Sequence, residues 1–390
     1  MHAVNKSALA LLVACLAGVS VLTQAAVPAP ADSVRLYVGT YTAAESRGIY
    51  RLRLDLKTGA LTSEGEPTEA VDPSFLAFSP DATRLFAVNE TGDSREAAPG
   101  QLSAFAVDRV TGALTFLNRL SSGGPAPCYL SVDAQGRHVL VANYWGGSVS
   151  VFPVGADGRL STATAFVAHE VARAAAGEDT LPHAHSIDLD VANRFAIVAD
   201  LGLDKLFAYR FDAARGTLAR TASVSLPPGA GPRHFTFHPD GRHGYLINEL
   251  NSTVTVFSYD PASGALRELQ TLSTLPAGFS GKNSTAEIAI SPDGKFLYGS
   301  NRGHDSLAIF AIVPETGLLR AIGHEPTRGQ HPRHFAIDPT GAYLLAANRD
   351  SDSVTVFRVV PKTGLLEALG APFRIPRPVC LRFVPPPAHH

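Results

Sequence analysis

Three short patterns each recur seven times along this chain, at intervals of about 50 residues, and this repetition limits its possible folds more than any other feature. The first is a Gly-x-Leu corner, at Gly59, Gly112, Gly158, Gly216, Gly264, Gly317 and Gly364. The second is an apolar run ending in a small or polar residue, at 36–40, 85–90, 139–144, 195–201, 244–250, 296–302 and 344–349. The third is a run usually opened by proline, at 73–78, 127–132, 182–187, 232–237, 286–290, 332–337 and 378–383. Between them lie segments that alternate apolar and polar residues and are rich in Val, Phe and Thr, such as 148–154, 253–260 and 353–359. Period-two alternation of that composition is the mark of a half-buried strand.

Each repeat therefore holds four short strands, and seven such units predict an all-β, seven-bladed β-propeller with four-stranded blades. The ends of the chain support closure of the ring. The first strand after the leader, at 36–40, is of the second type, and the last, at 378–383, is of the proline-opened type. One blade must combine both termini, which removes free sheet edges. No amphipathic helix of useful length competes; residues 167–176 are expected to form at most a turn or two in a loop.

The amino terminus reads differently. Lys6, an apolar run from about Ala8 to Leu22, and the small residues Ala25 and Ala26 match a secretory leader cleaved near Ala26. The apolar run is short for a membrane span. Residues 12–15 also resemble a lipoprotein box, but the chain after Cys15 stays apolar where a lipidated end usually carries a polar tether. The expectation is a leader over 1–26, one propeller domain over 27–390, and a periplasmic or secreted monomer. Cys128 and Cys380 then remain; in separate repeats, they are expected to be small, buried and unbridged. With 390 residues, 17% of them charged, and a formal net charge of −2, the chain has ample core and no electrostatic reason to bind nucleic acid.

The segment 231–250, GPRHFTFHPDGRHGYLINEL, shows where function would sit. A hairpin folded at Gly241 brings Arg233 and Glu249 to the same open end. In a propeller the first strand of each blade lines the channel and the second returns beside it. First-strand starts and second-strand ends thus share one mouth. That mouth collects Glu90, Asn143, His183, His185, Asp200, Arg233, His234, Glu249, Asn301, Arg302, Arg333, His334, Asn348 and Arg349. Turn residues such as 79–81 and 291–293 fall on the opposite face. His234 and His334 follow the two arginines, so simple alternation turns them away from the channel to pack between blades.

The ordered motifs PHAHSIDLD, GPRHFTFHPDGRHGYLINEL, AEIAISPDGKFLYGSNRGHDSL and HPRHFAIDPTGAYLLAANRDSDSV resemble the propeller-type 6-phosphogluconolactonase family. That family is related to the fungal 3-carboxymuconate-lactonizing cycloisomerases. The resemblance spans essentially the whole chain after the leader. It implies an enzyme that opens or closes a lactone ring without a required metal, with His185, Arg233, Glu249 and Arg302 as the catalytic group. His183, Asn143, Arg333, Glu90 and Asp200 are the expected substrate-binding positions.

The residue types suit that chemistry. A histidine near its working pKa can take a proton from water, and guanidinium forks suit an oxyanion, a carboxylate or a phosphate. Glu249 would orient Arg233 or His185, or act as an acid if its pKa is raised. A calcium site on Glu90, Asn143, Asp200 and Glu249 is opposed by the adjacent arginines, so no metal or other cofactor is expected. No nucleotide loop, nucleophile elbow or zinc spacing is present in the sequence. Export sets a question for the substrate, since a phosphorylated sugar lactone is a cytoplasmic compound. The expected substrate class is therefore a sugar lactone, phosphorylated or not. The other readings are a carboxymuconate-type cycloisomerase and a secreted propeller that binds a ligand or protein.

Overall fold

The computed structural model describes residues 32–43, 45–173 and 179–386. The expected leader and Cys15 lie outside them. The described chain forms seven antiparallel blades, six of four consecutive strands and one that joins the two ends of the chain. The inner strands of blades 2 to 7 are Leu76–Phe78, Pro127–Val132, Ala184–Leu189, Pro232–Phe237, Ser284–Ile290 and Pro332–Ile337. Blade 1 is the composite one: Pro378–Phe383 is its inner strand and pairs with Ser33–Thr40, with Leu36 opposite Phe383 and Val38 opposite Leu381. The ring closes as the sequence predicts.

Strand position explains strand composition. Second strands such as Phe195–Asp200 and Tyr343–Asn348 are buried along their whole length, because a neighbouring blade covers each face. They read as continuous apolar runs for that reason. Outer strands such as Thr217–Ser225 are mostly exposed on one face and read as alternating. Residues 165–168 form the outer strand of blade 3, with Val167 opposite Val149, so the turn of helix expected from residue 167 onward does not start there. The free edge of Ser148–Pro153 captures that segment. Ala172–Arg173 and Asp179–Thr180 make a short separate ribbon. Among the described residues no helix is long and apolar enough to cross a membrane.

The Gly-x-Leu corners interlock the blades. Gly264 of blade 5 has φ +75°, and a Cβ there would lie 2.5 Å from Cδ1 of Phe195 in blade 4. The same contact repeats around the ring, and Gly59 of blade 1 meets Tyr343 of blade 7 to complete it. Only glycine combines the left-handed backbone with so close an approach.

A second repeated device shapes the channel. In six blades the pairing of inner and second strand slips at the mouth end, a β-bulge. Cys128, His185, Arg233, Arg333 and Val379 are the residues skipped between paired neighbours. A bulge re-aims the side chain it carries and resets the alternation beyond it. His234 and His334 consequently turn into the channel. This corrects the expectation that they pack between blades. The His234 ring lies 5.7 Å from that of Phe75, just before the inner strand of blade 2, and 4.9 Å from that of Tyr129 on the inner strand of blade 3.

Candidate active site

The bulges place one tier of side chains at the mouth. Arg233 is 2% exposed, which is unusual for a residue obliged to stay charged, and its hydrogen bonds offset the cost of that burial. Its Nε donates to Oε2 of Glu249 at 2.9 Å. Its Nη1 donates to the carbonyl of Ala286 at 2.7 Å and meets Nε2 of His234 at 3.1 Å. Among the described residues Nη2 has no hydrogen-bond partner, which leaves it available at the mouth.

Glu249 binds a second guanidinium through the same oxygen: Nη2 of Arg302 lies 2.9 Å from Oε2. Arg302 also donates to the carbonyl of Thr285 at 2.5 Å. Burial alone would raise the Glu249 pKa, but Arg302, Arg233 and Arg333 outweigh it and hold the carboxyl below its usual range. Glu249 is therefore a carboxylate that fixes two arginines, and the acid role left open by the sequence does not fit. Burial pushes Arg302 down to about 9, which still leaves it a cation at neutral pH.

Arg333 is held differently. It lies over the Tyr41 ring, 5.4 Å from the centroid, and its Nη2 is 3.9 Å from Oε1 of Glu90. Tyr41 donates its hydroxyl to the other oxygen of Glu90 at 3.0 Å. Burial opposes the charge on Arg333, but Tyr41, Glu90 and Glu249 more than compensate and raise its pKa. Its guanidinium makes no hydrogen bond to the described protein, so its donors are free for a ligand.

His185 completes the tier. Its Nδ1 faces Sγ of Cys128 at 3.8 Å, and its ring lies edge-on to Tyr144, 5.5 Å between centroids. Burial first, then Arg233, His234 and Arg333, drive its pKa well below the ordinary imidazole value. The ring is neutral at working pH. Cys128 and Cys380 are both buried and free, as expected, and burial raises both thiol pKa values. With Arg233, Arg302 and Arg333 set against Glu249 and Glu90, the mouth holds an excess of positive charge.

The structure thus brings His185, Arg233, Glu249, Arg302, Arg333 and Glu90 together. His183 is one step removed, stacked on Tyr144 at 4.6 Å with its Nδ1–H donating to the Tyr144 carbonyl at 3.2 Å. Asn143 and Asp200 do not reach the mouth, and both are completely buried. Asn143 Nδ2 donates to Ser122 O at 3.3 Å and Ser148 Oγ at 3.2 Å. Asp200 accepts from the His183 and Leu203 amides at 2.8 and 3.0 Å and meets His169 Nδ1 at 2.5 Å. The last residue of a second strand turns into its blade, and the next one turns to the mouth. That rule would have found Tyr41 and Tyr144 alongside Glu90 and Glu249; Arg302, which ends a strand one residue longer, holds the same place after Asn301.

A second tier lies beneath. Glu287 Oε2 meets Nδ1 of His234 at 3.2 Å and Nε2 of His334 at 3.0 Å. An acidic residue in an inner strand whose counterparts carry Phe75, Tyr129 and Cys380 was the available signal for it. Among the described residues no group of three or more His, Cys, Asp or Glu is placed to hold a metal ion.

Known proteins share this fold. Residues 35–383 match the family described as lactonase, 7-bladed beta-propeller. The 6-phosphogluconolactonase of Bacillus subtilis is 37% identical over 299 residues, covering 77% of this chain and 83% of that protein. That of Formosa agariphila is 36% identical over 306 residues, covering 77% and 85%. The structure of the periplasmic gluconolactonase of Pseudomonas aeruginosa superposes with a TM-score of 0.84 at 36% identity, covering 90% of this chain and 99% of that one. The chain belongs to the seven-bladed β-propeller lactonase family.

Proposed function

We propose that this protein is a lactone hydrolase, 6-phosphogluconolactonase-like, that opens a sugar lactone at the mouth bearing His185, Arg233, Glu249 and Arg302. The observation that carries the reading is the pair of guanidiniums fixed on one oxygen of Glu249, with Nη2 of Arg233 left open beside a neutral histidine.

In this mechanism water attacks the lactone carbonyl as His185 takes its proton. The negative charge that forms on the carbonyl oxygen is met by Arg233, already oriented, so no reorganisation is needed during the step. Collapse breaks the ring C–O bond, and the protonated His185 returns its proton to the departing alkoxide. A histidine whose pKa is depressed is a weak base but, once protonated, a strong acid, which favours this second transfer. Arg333, with unspent donors, binds the substrate's acidic or hydroxyl groups. The leader-like amino terminus and the periplasmic relative in Pseudomonas aeruginosa support action outside the cytoplasm, where an unphosphorylated lactone is the accessible substrate.

The test is turnover of glucono-δ-lactone and 6-phosphoglucono-δ-lactone by the protein starting at Val27, in EDTA, with spontaneous hydrolysis subtracted. Losing one preorganised donor costs about 10²–10³ in kcat. Arg233→Ala and His185→Ala should each fall at least that far. Equal turnover in wild type and both variants would refute the assignment.

A further inference from the structure

The inner strands also build a chamber on the face of the ring opposite the mouth. Below the bulges, every second residue of an inner strand faces the channel. The tier that includes Phe75, Tyr129, His234, Glu287 and His334 is buried and plugs it. Two residues further along each strand comes a third tier, whose seven side chains are all partly exposed. Five of them are small: Ala77, Ser131, Thr236, Ala289 and Ala336. The other two are Asp188 of blade 4 and Arg382 of blade 1. Small side chains on most walls leave width, and Asp188, Thr236, Ala289, Ala336 and Arg382 border a cavity of about 500 Å³. That volume is within the range of small-molecule sites.

The polar groups of this tier are only partly matched by protein. Nε of Arg382 donates to the Leu76 carbonyl at 2.8 Å, and the guanidinium lies over the Phe75 ring at 4.5 Å. Among the described residues its Nη1 and Nη2 have no hydrogen-bond partner, and neither does the Thr236 hydroxyl. Asp188 accepts the Tyr129 hydroxyl on Oδ1 at 2.5 Å, and its Oδ2 has no partner among them. A guanidinium fork matches a carboxylate with two parallel hydrogen bonds, and the groups opposite it match alcohols. Enclosure by the ring raises the Asp188 carboxyl to about 7, with Tyr129, Ser186 and Arg382 opposing the rise and Glu287 adding to it. An anion arriving on Arg382 therefore meets an acid that can take up a proton, not a second fixed negative charge. We propose that this chamber is a second ligand site, separate from the mouth, for a small hydroxy acid whose carboxylate binds Arg382 and whose hydroxyls bind Asp188 and Thr236.

This site lies outside the proposed reaction, and its test needs no turnover. An aldonate, the class of product that opening a sugar lactone releases, has the required chemistry, so D-gluconate is the probe. Ile290 and Ile337 line the chamber, at the far end of their strands from the mouth, so ¹³C-labelled isoleucine δ1 methyls report on it alone. D-Gluconate should shift both methyls saturably in NMR spectra of the protein starting at Val27. D-Glucose, which has the hydroxyls but no carboxylate, should not. Arg382→Met, which keeps an unbranched stem on Phe75, should weaken binding roughly 10–100-fold, the loss expected for hydrogen bonds to a charged partner. Ala336→Leu narrows the chamber without touching either charge and should remove the saturable shift; it decides the matter if Arg382→Met fails to fold. Three results would overturn the proposal: no saturable shift of Ile290 or Ile337 in the wild type, equal shifts with glucose, or wild-type affinity in a folded variant.

Discussion

Arg233 reaches Glu249 across the open end of one hairpin, Nε to Oε2 at 2.9 Å, although the two are 16 residues apart in sequence. The contact ties catalysis to stability, because the same oxygen also holds Arg302. Removing the carboxylate would leave two buried guanidiniums facing each other. Breaking a buried pair in this way costs about 3–5 kcal/mol. Glu249→Gln retains one acceptor, so its loss should lie at the lower end of that range while kcat falls about 10²-fold or more. Urea unfolding and steady-state kinetics on the same variant check both numbers. A Gln variant as stable and as active as wild type would mean that Glu249 does not hold the arginines.

Arg333 makes the opposite prediction. Its guanidinium has no hydrogen bond to the described protein and rests on Tyr41 at 5.4 Å. Its replacement removes ligand contacts more than internal ones. Arg333→Met, which preserves much of the packing on Tyr41, should raise KM about tenfold or more while kcat changes less. Fluorescence-monitored thermal unfolding should show little change. An effect confined to kcat would instead place Arg333 on the reacting oxygen, beside Arg233.

The ring itself was legible in the chain. Seven Gly-x-Leu corners and the split first blade identify the architecture because each reflects a local requirement: a positive φ against a neighbouring blade, and a sheet that must close. The placement of His185, Arg233, Glu249 and Arg302 followed from strand direction alone. What escaped depends on one extra residue per blade. A bulge leaves no mark in the apolar pattern, since it falls at the polar end of the strand. Plain alternation therefore turned His234 and His334 outward and hid the Glu287 chain. Asn143 and Asp200 escaped for a related reason: the mouth belongs to the residue after the strand's last, and only pairing geometry shows which residue is last.

The glycine corners can be tested against an internal control. Gly241 has φ +65° and a Cβ there would meet no atom within 4 Å, whereas at Gly264 the Cβ would lie 2.5 Å from Phe195. Gly241→Ala should therefore cost only the left-handed backbone penalty, about 1–2 kcal/mol. Gly264→Ala carries that penalty and an overpacking cost of about 1–3 kcal/mol. Equal losses in urea unfolding would show that the corners do not lock adjacent blades.

Acid should act on this protein through its channel histidines, with separate effects on rate and on stability. Burial, followed by the nearby arginines, holds His185 well below 6.5 in the folded chain, and a base must be neutral to accept a proton. The acidic limb of kcat/KM should therefore fall well below pH 6.5, where an ordinary histidine would already be protonated and inactive. Stability responds earlier. Between the unfolded value of about 6.5 and the depressed folded value, the unfolded chain binds more protons than the folded one. Stability is thus full above pH 6.5 and decreases as pH falls through that window. For His334 the window extends down to about 3. Each such histidine contributes up to about 1.4 kcal/mol per pH unit, and His185 and His234 shift in the same direction. Unfolding midpoints measured from pH 8 to pH 4 should be flat at first and then drop below about pH 6.5. His334→Gln, which cannot titrate, should flatten that drop. A midpoint independent of pH across this range would show that the channel histidines are not held neutral by the fold.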